Sequence, residues 1–553
     1  MASSHSSNGV FEFEKDLSTR VQGQSTGIGV VVGEFERGEV GVPFLVTDTA
    51  DLTERTGLPN MKKYGAARYC AEIFLEEARQ LWIMRVVKGA KTAGAYFTVD
   101  DPKAGLPNIN LSNFDDGGNV PQGIIAPLEN LAFNVGDPGV ENVLGFFCAI
   151  NPGAWNNRIS IRVRPSNPRG TQVGSGSHDV YQFYVEVFFD YAGPNDVPVE
   201  SFLVSRKQEN DGDGRQMFIE TRINSNSKYI RVKHNPLCPA VKIAKTAFVA
   251  LNGGTDGDRV SSNQIANAYA AFEDSETQPG NIFQDCGYTF PNVHREMSRV
   301  CEARGDAAPL ISVPQDREDL ISARSYRLND LNLNTSYGAL YAPFVPCYDK
   351  YNDRDVYIPL SAFAARTCAK VDRERNVSHA VAGLRYAQIA SESFPPRLDK
   401  IKFYNQGARD AMDGVQINVP RRIKGSGVFI NGEETLLKQA SAFRSLAVRR
   451  TISYARRSLA IATMVGVFDP NDEYLRLSLK NLCESWLNPL SAGVDRMFYQ
   501  TEVVCDERNN TNDVIAAGIL KLDIYLDPVI GTKRIHLTAN IQGPGTVAII
   551  NNG

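Results

Sequence analysis

The sequence predicts an α+β multidomain protein with discontinuous α/β core domains, formed from N- and C-terminal parts of the chain around an inserted β-rich region. Three observations carry this reading. A strand–helix–strand pattern fills residues 25–89, and α/β character returns over 246–415. The stretch between them, 90–245, holds short strands punctuated by Gly, Pro, Asn and Asp, with no strong helical period. Residues 416–553 end the chain with two long helical patterns followed by alternating strands. At ~150 residues per domain, a chain of 553 residues has room for about three or four domains.

Residues 1–24 read as an arm. Val10-Phe11-Glu12-Phe13-Glu14 alternates as a half-buried strand does, yet Ser18 to Ser25 offers no neighbouring hairpin partner. In 25–89, Ile28–Val32, Val42–Val46 and Leu81–Val87 are expected as strands and 61–80 as a helix. In 90–245, Arg158–Val163 and Tyr181–Phe189 are the clearest strands of one or two small β domains. In 246–415, Leu310–Pro314 and Gly338–Pro343 read as strands, and a helix is expected after Pro359. In 416–553, helices are expected over 441–465 and 472–490. The second places Leu475, Leu479, Leu482, Trp486 and Leu490 on one face. Two alternating strands follow, the first with Leu520, Leu522, Ile524 and Leu526, the second with Ile535, Leu537, Ala539 and Ile541. Gly543-Pro544-Gly545 then reads as a hinge, since Gly tolerates changes of φ and Pro stops a ladder. The last strand is Thr546-Val547-Ala548-Ile549-Ile550.

Composition excludes several classes. A net charge of −4 argues against nucleic acid as the main partner, because phosphate neutralisation needs a basic surface. No run of ~18 apolar residues occurs, so no membrane insertion is expected. Met1 to Gly9 lacks an apolar core, Lys and Arg, unlike a secretory signal. The cysteines number nine and include no CxxC pair, which favours reduced, buried thiols over a disulfide framework.

No motif supports catalysis or a cofactor. The Gly253-Gly254 loop lacks the Lys-Ser/Thr of a P-loop and the G-x-G-x-x-G of a dinucleotide site, and reads as a tight turn. Asp211-Gly212-Asp213-Gly214 lacks the spacing and closing Glu of an EF-hand. Cys286, His294 and Cys301 match no zinc pattern, and neither H-E-x-x-H nor G-x-S-x-G occurs. The expectation is no enzyme, no metal and no cofactor. The contrary reading, a surface hydrolase with a β-rich insert, requires convergent carboxylates in a pocket.

Several stretches, in order and spacing, resemble the contractile bacteriophage tail sheath family over most of the chain. Gly9-Val10-Phe11-Glu12-Phe13-Glu14, then Ser25-Thr26-Gly27-Ile28 and Val32-Gly33, resemble the family's N-terminal arm and first core strand. Asn151-Pro152-Gly153-Ala154-Trp155-Asn156-Asn157 resembles a turn of its insertion domains, and Leu251-Asn252-Gly253-Gly254-Thr255-Asp256-Gly257 the loop opening its second core segment. Arg449-Arg450-Thr451-Ile452, Val467-Phe468-Asp469-Pro470-Asn471-Asp472, and Asn509-Asn510-Thr511-Asn512-Asp513 with Gly518 resemble its C-terminal domain. One departure is Asn8, where the family often has a proline.

The resemblance implies a structural subunit of the virion tail, assembled in the host cytoplasm into a helical homo-polymer of stacked hexameric rings, with the inserted region outermost. Its implied partners are further copies of itself, an inner tail tube protein, and baseplate and tail terminator proteins. Contraction from a metastable extended state would drive the tube through the host envelope. A bacteriocin-like or secretion-type injection device is the related alternative. With the resemblance, Val10, Phe11 and Phe13 at one end and Thr546, Val547, Ile549 and Ile550 at the other are expected to be donated to neighbouring subunits as added strands. Without it, the last strand would be expected to fold back into its own domain. Arg449, Arg450, Arg456 and Arg457 recur at i and i+7, a basic helical face that would meet an acidic tube or simply face solvent.

Overall fold

The computed structural model describes residues 21, 23–99, 109–113, 143–166, 181–191, 193, 196–238 and 247–533. The expected arm strand at Val10, Phe11 and Phe13, the strand at 535–541, the hinge at Gly543, Pro544 and Gly545, and the last strand at Thr546, Val547, Ile549 and Ile550 lie outside the described residues.

The core is a seven-stranded sheet that takes strands from both sides of the β-rich region. Its order is Ile417–Asn418, Ala339–Tyr341, Ala308–Ser312, Ile282–Gln284, Gly29–Gly33, Leu81–Arg85 and Phe44–Val46. All neighbours run parallel except the last, which is antiparallel to Leu81–Arg85. Parallel strands need both faces covered, and Gly29–Gly33 shows how this sequence meets that demand. Val31 packs on one side with the helices Ala67–Leu75 and Leu360–Glu374, while Val30 and Val32 pack on the other with Ser262–Ala270 and Pro291–Arg304. Gly29 and Gly33 share the Val31 side. A Cβ on Gly29 would lie 2.5 Å from the Phe74 ring, and one on Gly33 2.4 Å from Ala67 Cβ. The Gly-x-Val-x-Gly pattern therefore sets how closely the Ala67–Leu75 helix approaches the sheet.

The helix expected over 61–80 is two helices, Met61–Tyr64 and Ala67–Leu75. The break falls at Gly65, whose φ of 71° ends the first helix. The helix expected after Pro359 runs over Leu360–Glu374.

The β-rich region contains two four-stranded antiparallel sheets. One has the order Ile230–His234, Val143–Ala149, Gly94–Val99, Ile109–Asn113; the other has Ala247–Ala250, Ile159–Pro165, Gln182–Phe189, Glu200–Ser205. Phe97, Leu144 and Phe147 from the first and Ile159, Ile161, Val163, Val185 and Val187 from the second fill a single hydrophobic core. That core makes the region one sandwich rather than two units. The Ala247–Ala250 strand pairs with Ile159–Pro165, so the sandwich extends past the expected boundary at 245. The helix Ile219–Asn226 was not expected; Ile219 and Ile223 seal one end of the same core.

The C-terminal part joins two 18-residue helices, Leu446–Thr463 and Glu473–Leu490, to an antiparallel hairpin of Phe498–Val504 and Asp523–Pro528. Ser445 caps the first helix by accepting from the Val448 amide, and Asp472 caps the second by accepting from Leu475. On the second helix Leu479 and Leu482 are buried as expected, but Cys483 and Leu487 join them, while Trp486 and Leu490 are half-buried. The inward face is thus shifted relative to the leucine spacing. In the hairpin, Ile524 and Leu526 turn toward the small core while Asp523, Tyr525 and Asp527 face out, the alternation read from the sequence.

Candidate functional site

The terminal segments carry the expected function, and the structure places the roots of both. At the N-terminal root, the Asn281 side chain reads the backbone of the entering segment: Oδ1 accepts from Ile28 N at 3.1 Å and Nδ2 donates to Ser25 O at 3.0 Å. Immediately before Ser25 the segment lies along the Leu446–Thr463 helix. Gln24 N donates to Ser458 Oγ at 3.1 Å, and a Cβ on Gly23 would come within 2.2 Å of Tyr454 Oη. A larger residue there requires the Tyr454 side chain to shift.

Beneath the root is a buried ion pair. Arg450 Nη2 lies 2.5 Å from Asp372 Oδ2, joining the Leu446–Thr463 helix to Leu360–Glu374. Burial pushes the Asp372 carboxyl up, and Arg450 opposes that shift; Thr26 and the Gly27 amide lie against the same carboxylate. The helix is a strut between two cores: Leu446 belongs to the main core, Ala455 and Leu459 to the small one.

This packing corrects the reading of the four arginines as one basic face. Arg449 is only 6% exposed and stacks on Tyr337 and Phe443, 4.3 and 4.6 Å from the ring centroids; Arg450 is 8% exposed and paired. Arg456 is exposed and Arg457 half-buried. The i, i+7 phase was legible, but the N-terminal half of that helix face is covered by the core, so the four do not form an outward tube-facing surface in this chain.

At the C-terminal root, Lys533 Nζ sits 2.6 Å from Glu434 Oε1, and Arg444 Nε 2.9 Å from Oε2 of the same residue. The chain thus returns from the hairpin to the core before residue 534. Among the described residues the hairpin strands pair only with each other, and both outer edges lack a strand.

A third joint ties the sandwich to the core. Two stretches singled out in the sequence meet here. Asn157 Nδ2 donates to Gly254 O and its Oδ1 accepts from Gly254 N, both at 2.9 Å, and Ala154 N donates to Asp256 Oδ1 at 2.8 Å. The stretches 88–91 and 255–258, which run between core and sandwich, also pair with each other at Lys91–Thr255 and Lys88–Asp258. Arg85, at the end of a core strand, donates to the carbonyls of Phe35, Gly38, Glu36 and Pro152, the last across the joint. Burial lowers its pKa to about 10.

The described residues include one buried trio with catalytic types. Asp285 accepts from Ser361 Oγ at 2.8 Å and from Ser312 N at 2.7 Å, and lies 3.2 Å from His294 Nε2, whose other nitrogen meets Tyr326. Asp285 and His294 are wholly buried, so no substrate reaches them, and the trio ties strand ends to helices. Cys286 and Cys301 are buried free thiols. Among the described residues no group of three or more His, Cys, Asp or Glu could hold a metal ion, and no helix is long and apolar enough to cross a membrane.

The arrangement, a mixed core with an inserted sandwich and a small hairpin domain, has the fold of sheath tail proteins. The chain superposes on the sheath tail protein of Listeria innocua with a TM-score of 0.54 at 10% identity, covering 92% of this chain and 96% of that one. It superposes on the helical sheath of the anti-feeding prophage in its contracted state with a TM-score of 0.50 at 12% identity, covering 97% and 99%. By sequence the chain is similar to the tail sheath protein of Vibrio phage KVP40, 30% identical over 225 residues, which are 40% of this chain and 32% of the relative. It is also similar to the tail sheath protein of Enterobacteria phage T4, 24% identical over 433 residues, 70% of this chain and 63% of the relative. The resemblance to tail sheath proteins read from the residues is therefore shown, while the chain spans less than two thirds of either relative's length. No protein-family model matches the chain.

Proposed function

We propose that this chain is the structural subunit of a contractile tail sheath, polymerising helically around an inner tube and shortening to drive that tube through an envelope. The observation that carries the mechanism is the terminal hairpin. A two-stranded hairpin is marginal alone and its free edges are templates for further strands. Here two stretches with strand-like alternation in the sequence, within 9–17 and 546–550, adjoin roots fixed on the same subunit. A strand donated by a neighbour satisfies the edge amides and carbonyls without a rigid docking face, so the joint holds while the subunits turn.

In this reading the core is a discontinuous pair of α/β domains, the sandwich lies outermost, and the hairpin domain lies innermost, toward the tube. The partners are further copies in stacked hexameric rings, the tube protein, and baseplate and terminator proteins, with assembly in the host cytoplasm. No catalytic role is assigned. A sheath of a related injection device uses the same subunit mechanics, and DNA in purified particles separates the two. Truncation tests the joint: deleting 1–17 or 545–553 should leave soluble monomers or short rings by negative-stain microscopy, and sheaths of normal length from either deletion would refute strand donation.

A further inference from the structure

The N-terminal root borders a cleft of about 250 Å³. The entering segment lines it at Gln24 and Thr26, the core at Asp306, and the Leu446–Thr463 helix at Arg450, Ser453 and Arg457. Two of these groups are buried polar atoms without a hydrogen-bond partner among the described residues: Arg450 Nη1, whose sister Nη2 is held by Asp372, and Ser453 Oγ. Arg450 is 8% exposed and Ser453 3% exposed. Buried donors are expensive to leave unmatched, and native proteins satisfy nearly all of them.

The charges around the cleft point the same way. Asp306 is matched by Arg304 at 2.8 Å and Asp372 by Arg450. Arg457 in the wall, and Arg456 packed beside Gly305, have no acidic partner among the described residues. Guanidinium groups donate only, and a hydroxyl can donate as well. Converging donors with surplus positive charge select a compact group with several acceptor oxygens.

We propose that this cleft binds an oxyanion group, a phosphate or a carboxylate, held by Arg450, Ser453 and Arg457 against the root of the N-terminal segment. A free inorganic anion is one source. Glu12, Glu14 and Asp16, which precede this root in the sequence, are the other. The site does not depend on polymerisation, so its test stands apart from that of strand donation.

The test is calorimetric titration of the full chain with inorganic phosphate, in chloride buffer at constant ionic strength. Saturable binding is expected, weakened about tenfold or more in Ser453→Ala/Arg457→Gln, with circular dichroism unchanged. Binding seen only after Glu12→Gln, Glu14→Gln and Asp16→Gln supports the site and assigns the chain's own carboxylates as its occupant. No saturable binding by either chain, or equal binding by the Ser453→Ala/Arg457→Gln variant, overturns the proposal.

Discussion

Removing one member of the Arg450–Asp372 pair should cost far more than removing both. At ~4 Å between charge centres and an effective dielectric of ~20, the pair attracts by about 4 kcal/mol. Each ion gives up several kcal/mol of hydration to be buried there, so the attraction and the burial cost nearly cancel. Arg450→Met leaves Asp372, only 3% exposed at its side chain, without its cation. Asp372→Asn leaves the guanidinium, 7% exposed, without its anion. Each single change should cost about 3–5 kcal/mol, and Arg450→Met with Asp372→Leu should recover at least ~2 kcal/mol of that. A chain of several domains need not unfold in one step, so the measurement belongs at the helices themselves. Hydrogen exchange over 360–374 and 446–463 should accelerate by about two to four orders of magnitude in the single variants and less in the double. Effects that simply add would refute the claim that this pair locks the strut to the core.

Other perturbations test other joints. Gly33→Val pushes a Cβ into Ala67, 2.4 Å away, and should destabilise the core by about 1–3 kcal/mol in denaturant unfolding. Arg85→Met orphans four carbonyls where core and sandwich meet, and should speed proteolysis near 151–157 through a loss of at least ~3 kcal/mol. His234 in the sandwich is buried, and burial together with Arg206 lowers its pKa to about 4. The folded state therefore disfavours its charged form, so the contribution is complete above the unfolded value near 6.5 and is lost as pH falls toward 4. Over that window the sandwich should lose up to about 3 kcal/mol, and His234→Asn should flatten the pH dependence of its unfolding.

What the sequence disclosed follows from the range of the forces involved. The buried Gly29–Gly33 strand, the two C-terminal helices and the alternating Asp523–Pro528 strand were legible because each depends on a local period. The break at Gly65 was visible as a glycine but not as a boundary, since only the sheet below decides whether the helix continues. The end of the sandwich was misplaced because Ala247–Ala250 earns its strand by pairing with Ile159–Pro165, far away in sequence. The arginine face failed for the same reason: phase along a helix says which residues share a side, not which half of that side is covered. The N-terminal root was half legible. Ser25-Thr26-Gly27-Ile28 stood out by resemblance, but Asn281, Asp372, Tyr454 and Ser458 come from hundreds of residues away and carry no local signal.

The most direct measurement is a density map of the assembled polymer, read at the hairpin of Phe498–Val504 and Asp523–Pro528. Strand donation predicts a larger sheet there, completed by terminal strands whose chain can be traced into adjoining subunits. A sheet closed by the subunit's own residues 546–550, or one left two strands wide inside a mature particle, would contradict it.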